Sequence, residues 1–217
     1  MLIFNQKSCG IRLKFSIVII FAFSLFLSKS TQAQSVPSFS AEQFTEVMNT
    51  ISEPGGYYRS DIWVTNEWAY LEVIAPMKEL KVQGGVYIGV AANQNFSYIA
   101  AVKPDLAFIV DIRHQNRMQH LMYKIMFELA ETRAEFLSLL FARPMEGDII
   151  PGKDADVNQI VDYFYTVKSD MNMFTETNKK IVELLKSKYK FELNEQDSWE
   201  LNNVMNAFYI YNLGITS

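Results

Sequence analysis

The sequence predicts an α/β chain: a βαβ core with helices before it and a helical part after it. Two apolar runs predict the strands. Val86-Tyr87-Ile88-Gly89-Val90 and Leu106-Ala107-Phe108-Ile109-Val110 are continuously apolar rather than alternating, the pattern of parallel strands covered on both faces. Between them, Asn93-Gln94-Asn95 opens a short helix through Ile99 to Val102, stopped by Pro104. The order strand, helix, strand, helix fits a βαβ unit.

The flanking elements follow from local signals. Ser40-Ala41-Glu42-Gln43 fits a capping box, and Phe44, Val47, Met48 and Ile51 keep helical spacing up to Glu53-Pro54. A second helix is expected from about Glu67 to Leu80, with Pro76 kinking or ending it. Gly84-Gly85 is a turn. After Asp111, Met118, Leu121, Met122, Ile125, Met126, Leu129, Phe136, Leu137 and Leu140 form one apolar stripe, read as a single long helix ended by Arg143-Pro144. That stripe reads as core. Met145 to Asp156 is a loop. Helices are expected over about 157–167 and 170–189. Asp197 and Glu200 make a capping box for a last helix closed by Gly214. No third apolar strand follows Arg143.

The N-terminus reads as an address. Lys7, Arg12 and Lys14 precede an apolar run from Phe15 to Leu27, and Thr31-Gln32-Ala33 places small residues before Gln34. This is the layout of a secretory signal peptide over residues 1–33, with 34–217 as a single domain. The run is short for a permanent span, which needs about 20 apolar residues. Cleavage after Ala33 therefore leaves no stable transmembrane anchor; the alternative is an uncleaved N-terminal one. Cys9 precedes the run, where a lipoprotein cysteine would follow it. Removing residues 1–33 takes away Lys7, Arg12, Lys14 and Lys29 and no acid, so a net charge of −4 becomes −8 and 184 residues remain. The mature chain then has no cysteine, which suits a bacterial periplasm or an extracellular setting without need of oxidising machinery.

Composition excludes several classes. With 49% hydrophobic and 20% charged residues in 217, the chain is neither disordered nor a multi-span membrane protein. One cysteine excludes a disulfide scaffold, and the net acidity argues against nucleic acid as a partner. No metal site is expected. His114 and His120 are six apart rather than the four that share a helix face. Asp154-Ala155-Asp156-Val157-Asn158 mimics the start of a calcium loop, but Gln159 and Tyr165 occupy its glycine and glutamate positions. Asn95-Phe96-Ser97 is a glycosylation sequon. Glu53, Asp61, Asn66 and Glu67 form a polar cluster, read either as a site wall or as helix caps. Tyr57, Tyr58, Trp63, Trp68 and Tyr70 are either an exposed patch or core.

The stretch from Gly84 to Asn116 carries the candidate chemistry. A glycine near the end of a buried strand lets the backbone turn sharply and approach a ligand, and the next helix points its N–H groups at the same place. Asp111 ends the second strand 22 residues after Gly89. In nucleotide-binding βαβ units an acid about 20 residues on takes the ribose hydroxyls. The full G-x-G-x-x-G is absent, and a positive φ at Ala91 would cost about 1–2 kcal/mol. The other reading of this spacing is a plain strand–turn–helix with Asp111 capping the next helix.

SEPGGYYRSDIWVTNEWAY and GGVYIGVAANQNFSYIAAVKPDLAFIVDIRHQNRMQHLMYKIMFELAETRAEFLSLLFAR resemble a family of mostly uncharacterised bacterial proteins. That family includes leptospiral lipoproteins, and its usual text runs close to GVGPEQNFTYIA and AFIVDIRRDN. It is similar in fold to class I S-adenosylmethionine (SAM)-dependent methyltransferases. The resemblance implies a Rossmann-like sheet, with Gly89, Asn93 and Gln94 in the cofactor loop and Asp111 as the ribose acid. Ala91 and Ala92 depart from the family's glycine and proline. The resemblance also implies about seven strands, so the chain is expected to hold an incomplete parallel sheet and to be a truncated product; the alternative is a complete, mostly helical domain with a small sheet. No catalytic residue can be assigned. Two functions follow: an exported methyltransferase-like protein, incomplete or inactive as an enzyme, or a non-catalytic envelope or surface protein that binds a protein or carbohydrate partner. Export argues against the first, because SAM is a cytosolic metabolite.

Overall fold

The structure, a computed structural model, describes residues 39–59 and 62–215. The expected signal peptide, residues 1–33, lies outside the described residues, as does Asp61. The described residues fall in one unit, Pro37–Ser217. Among them no helix is long and apolar enough to cross a membrane.

Helix α1, Ala41–Ile51, starts where the capping box places it. Ser40 Oγ accepts from Gln43 N–H, and the Gln43 side chain accepts from Ser40 N–H. Helix α2 is shorter than expected, Ile74–Glu79. Pro76 lies in its first turn, where a missing N–H costs nothing, so this proline belongs to the start of the helix rather than to a kink or end. Residues 68–73 form turns instead.

Strands β1, Val86–Val90, and β2, Leu106–Val110, pair in parallel with Val86 opposite Leu106 and Val90 opposite Val110. Helix α3, Gln94–Val102, joins them. The result is a mixed α/β fold with a two-strand parallel sheet. Gly84 and Gly85 take φ of +71° and +70°, a left-handed turn open to glycine. Gly85 N–H then donates to Asp105 Oδ2 at 2.8 Å, which ties the starts of the two strands together.

Helix α4, His114–Leu129, holds the centre of the molecule. The stripe read as one helix is two. Thr132 caps α5, Arg133–Phe141, in a capping box with Glu135, and this stronger local bond breaks the chain at residues 130–132 although the apolar spacing runs on. Helices α6, Val157–Thr166, α7, Met171–Ser187, and α8, Glu195–Tyr211, follow. The cap of α8 is Asn194, with Asp197 as its third residue; the expected Asp197–Glu200 box starts three residues too late. Gly214 ends a 3₁₀ turn, Asn212–Gly214.

The core is helical. Met118, Leu121, Met122, Ile125 and Met126 of α4 pack with Ile181 and Leu185 of α7 and with Leu201, Val204, Met205 and Phe208 of α8. The sheet stands beside this core and, among the described residues, is covered on one face only. Tyr87 and Gly89 turn toward α3, where Tyr87 O–H donates to Asn95 Oδ1 at 2.7 Å. By strand alternation Val86, Ile88 and Val90 point the other way, and they are 63%, 69% and 65% exposed. Among the described residues, cover on both faces, expected from the continuous apolar runs, is therefore absent. Those runs reflect one packed face and one open face of the same composition.

Candidate binding cleft

A cleft of about 780 Å³ opens between α1, β2 and α4. Its α1 wall is the apolar face that the sequence spacing predicts, Phe44, Val47, Met48 and Ile51. Its floor is the whole of β2, and its α4 wall carries Arg117, His120, Leu121, Lys124 and Phe127. β2 has no strand on the side away from β1 among the described residues, so the cleft runs along a free sheet edge.

Asp111 lies in the wall of the cleft at the carboxyl end of β2, but its carboxylate is already held. Arg113 gives it the backbone N–H at 2.8 Å, Nε at 3.0 Å and Nη2 at 2.6 Å, and both side chains are 7% exposed. Arg113 Nη1 donates on to Ile62 O at 3.3 Å, and the guanidinium lies 5.7 Å from the centroid of the Tyr58 ring. A pair this desolvated is held by its hydrogen bonds, and breaking it would leave a buried charge.

The other three predicted residues lie elsewhere. Gly89 is buried in β1, and a Cβ there would collide with Asn95 Oδ1 and the Tyr87 ring. This glycine is required by packing, since the space over it is filled by protein. Asn93 Oδ1 accepts from Thr65 N–H at 2.9 Å. Gln94 Oε1 is buried with no hydrogen-bond partner. None of the three lines the cleft. The turn that carries them does sit at the same sheet end as Asp111, since Ala91 N–H donates to Val110 O at 3.0 Å. In this arrangement the acid is engaged by Arg113 and the glycine is covered by Tyr87 and Asn95.

Residues that the sequence reading left out, or gave no role, organise this end of the sheet. Asn95, 2% exposed, donates from Nδ2 to Val90 O at 3.0 Å and Ala92 O at 2.8 Å. It is a structural hub, so the sequon at Asn95 is closed to glycosylation. His120 Nε2 meets Ala91 O at 3.0 Å, which requires that nitrogen to carry the proton. Burial pushes the imidazole below its ordinary pKa, outweighing the bond to Ala91, so the ring is neutral. It packs edge-on to Phe96. His114 Nε2 meets Asp197 Oδ1 at 2.6 Å, a tie between α4 and α8 across 83 residues that no spacing rule could reveal. Arg113 follows Asp111 by two residues, so the Asp-x-Arg spacing was the signal for this pair.

On the α4 wall two donors lack partners. Asn116, 2% exposed, lines the cleft with Nδ2 unbonded, and the Nε of Arg117 is likewise buried and unbonded. Among the described residues no cluster of three or more His, Cys, Asp or Glu is placed to hold a metal. Glu53 lines the cleft, while Asn66 and Glu67 are exposed. Of the aromatic group, Trp63 packs on the core, whereas Tyr57 and Trp68 are fully or almost fully exposed.

These features define an α/β chain with an apolar cleft beside a sheet edge. Residues 62–149 match a family described as a domain of unknown function (DUF7790). That span runs from the Trp63 loop through the sheet, α4 and α5, and is less than half of the chain. No curated protein and no solved structure matches.

Proposed function

We propose that this chain is an exported, non-catalytic binding protein that uses a Rossmann-like βαβ unit as scaffold. The observation that carries the reading is Asp111. It ends the second strand, where the resemblance would put a ribose acid, yet three donors of Arg113 engage it, and the cleft around it is walled largely by apolar side chains and strand edge. Such a cavity holds a partner by burial and a few polar contacts, and several of its polar side chains are engaged within the protein: His120 Nε2 on Ala91 O, His114 on Asp197 and Glu128 on Lys188. The envelope setting rests on the signal-peptide pattern, and a protein partner fits the apolar cleft better than a carbohydrate.

A second reading, a SAM-binding methyltransferase-like protein, is favoured by one observation. Parallel β1 and β2 end at the same edge as Asp111, the place where such units take a nucleoside. That reading requires Arg113 to release Asp111. Calorimetric titration of the purified protein with SAM separates the two. The expected result is no heat and no thermal shift at millimolar SAM. Binding tighter than about 100 μM, lost in Asp111→Ala, would overturn the non-catalytic reading. Export is checked by the mass of the protein recovered from a bacterial periplasm or medium, expected to begin at Gln34.

A further inference from the structure

We infer that the cleft binds an extended peptide segment of a partner protein, alternately apolar and carrying a carboxylate, which adds a strand to the free edge of β2. This rests on the binding-protein reading above and names its ligand class.

The edge is open and unguarded. Leu106 N–H bonds to Gly85 O and Val110 O accepts from Ala91 N–H, both toward β1. Backbone direction alternates along a parallel strand, so Ala107 and Ile109 point their N–H and C=O groups away from β1, into the cleft. Natural sheet edges are usually blunted by proline, a charge or a bulge; Leu106 to Val110 has none of these. Gly56 N–H donates to Ile112 O at 2.8 Å, and a Cβ on Gly56 would strike the Ile112 side chain.

The walls specify the side chains. Phe44, Met48, Leu121 and Phe127 give the cleft apolar walls on both sides, suited to alternate residues of an added strand. An acid would be met by Arg117: of the three carboxylates of the cleft, Glu53, Asp111 and Glu128, the last two are already engaged by cations, and Glu53 lies just past the end of α1. Glu128 is engaged by Lys188 at 2.6 Å, and Asp111 by Arg113. Arg117 has no carboxylate within ion-pair reach among the described residues and meets only Asn49, at 3.0 Å, and the Phe191 ring. Its unbonded Nε and the unbonded Asn116 Nδ2 lie side by side in sequence on α4, donors without acceptors. A lipid tail would fill the apolar volume but leave the edge N–H and C=O groups unpaired, at a cost in a desolvated cleft. A peptide backbone satisfies them.

Random peptides of about ten residues, the length of a strand with its flanks, displayed on phage and selected on the full chain, test this. The expected consensus is alternating apolar residues with one Asp or Glu. The selected peptide, made synthetically and read by fluorescence anisotropy, should weaken about tenfold when alternate amides are N-methylated. It should weaken by a similar factor with Arg117→Glu, and a Lys-for-acid peptide should restore binding to that variant. Ile109→Pro, which removes a donor only from the free edge, should abolish binding; if it fails to fold, the N-methylated peptide carries the same test. No enrichment, equal binding of the N-methylated peptide, or saturable binding of dodecanoate alone overturns the inference. SAM binding without peptide binding overturns the underlying reading as well; neither ligand binding overturns only the peptide.

Discussion

Ala91 and Gly89 show opposite demands two residues apart. Ala91 has φ +65°, a left-handed conformation that costs an L-residue about 1–2 kcal/mol. Glycine relieves that cost and returns part of it as chain entropy. Ala91→Gly should therefore raise stability by about 0.5–1 kcal/mol, read as a higher urea midpoint at unchanged slope. Gly89→Ala should do the reverse, losing about 2–4 kcal/mol, because its Cβ meets Asn95, which cannot swing away without breaking its bonds to Val90 and Ala92. His120 supplies a pH dependence. Its pKa in the folded chain lies below the ordinary value because burial disfavours the charged ring. Between the two values the unfolded chain holds more protons, so stability rises with pH across that window and levels off above about 6.5. Urea midpoints at about pH 5.5 and 7.5 should differ less in His120→Gln than in the parent protein. Equal slopes in both would assign the acid sensitivity to other groups.

Elements follow their caps more closely than their stripes. Thr132 Oγ1 accepts from Glu135 N–H at 3.1 Å, and the Glu135 carboxylate accepts from Thr132 N–H at 3.1 Å. This reciprocal pair starts α5, and it was written in the sequence as Thr-x-x-Glu inside an apolar stripe that suggested one helix. Periodicity marks which face is buried and is blind to a short break that keeps both halves on the core. Thr132→Ala should cost about 1 kcal/mol, with the loss confined in hydrogen exchange to the first turn of α5. The same lesson holds for α2 and α8. Pro76 and Asn194 both mark starts, and placing the starts elsewhere shifted the expected boundaries by several residues. The strands, α1, α3, α6 and α7 were legible because the signals that set them are local: a capping side chain, a proline, a run of β-branched residues.

At the scale of the whole molecule, the sheet has an open apolar face. Val86, Ile88 and Val90 stand more than 60% exposed, and Val110 and Ile112 continue the same surface at 46% and 58%. An exposed patch of this kind marks an association surface or a liability. Ile88→Glu should lower the binding of an apolar-surface dye while moving the melting temperature by less than about 2 °C, since an exposed side chain contributes little to folding. Unchanged dye binding would mean that this face is covered in solution. The sequence by itself determined that the chain is α/β, that two strands run parallel around a short helix, and that Asp111 ends the second. These depend on neighbours within a turn or a strand length. Only the tertiary structure decided that the core is built on α4, α7 and α8, that one sheet face stays bare, and that a cleft runs along the edge of β2. A valine on a bare face and a valine in a core are the same letter, and which of them it becomes is set by elements far along the chain.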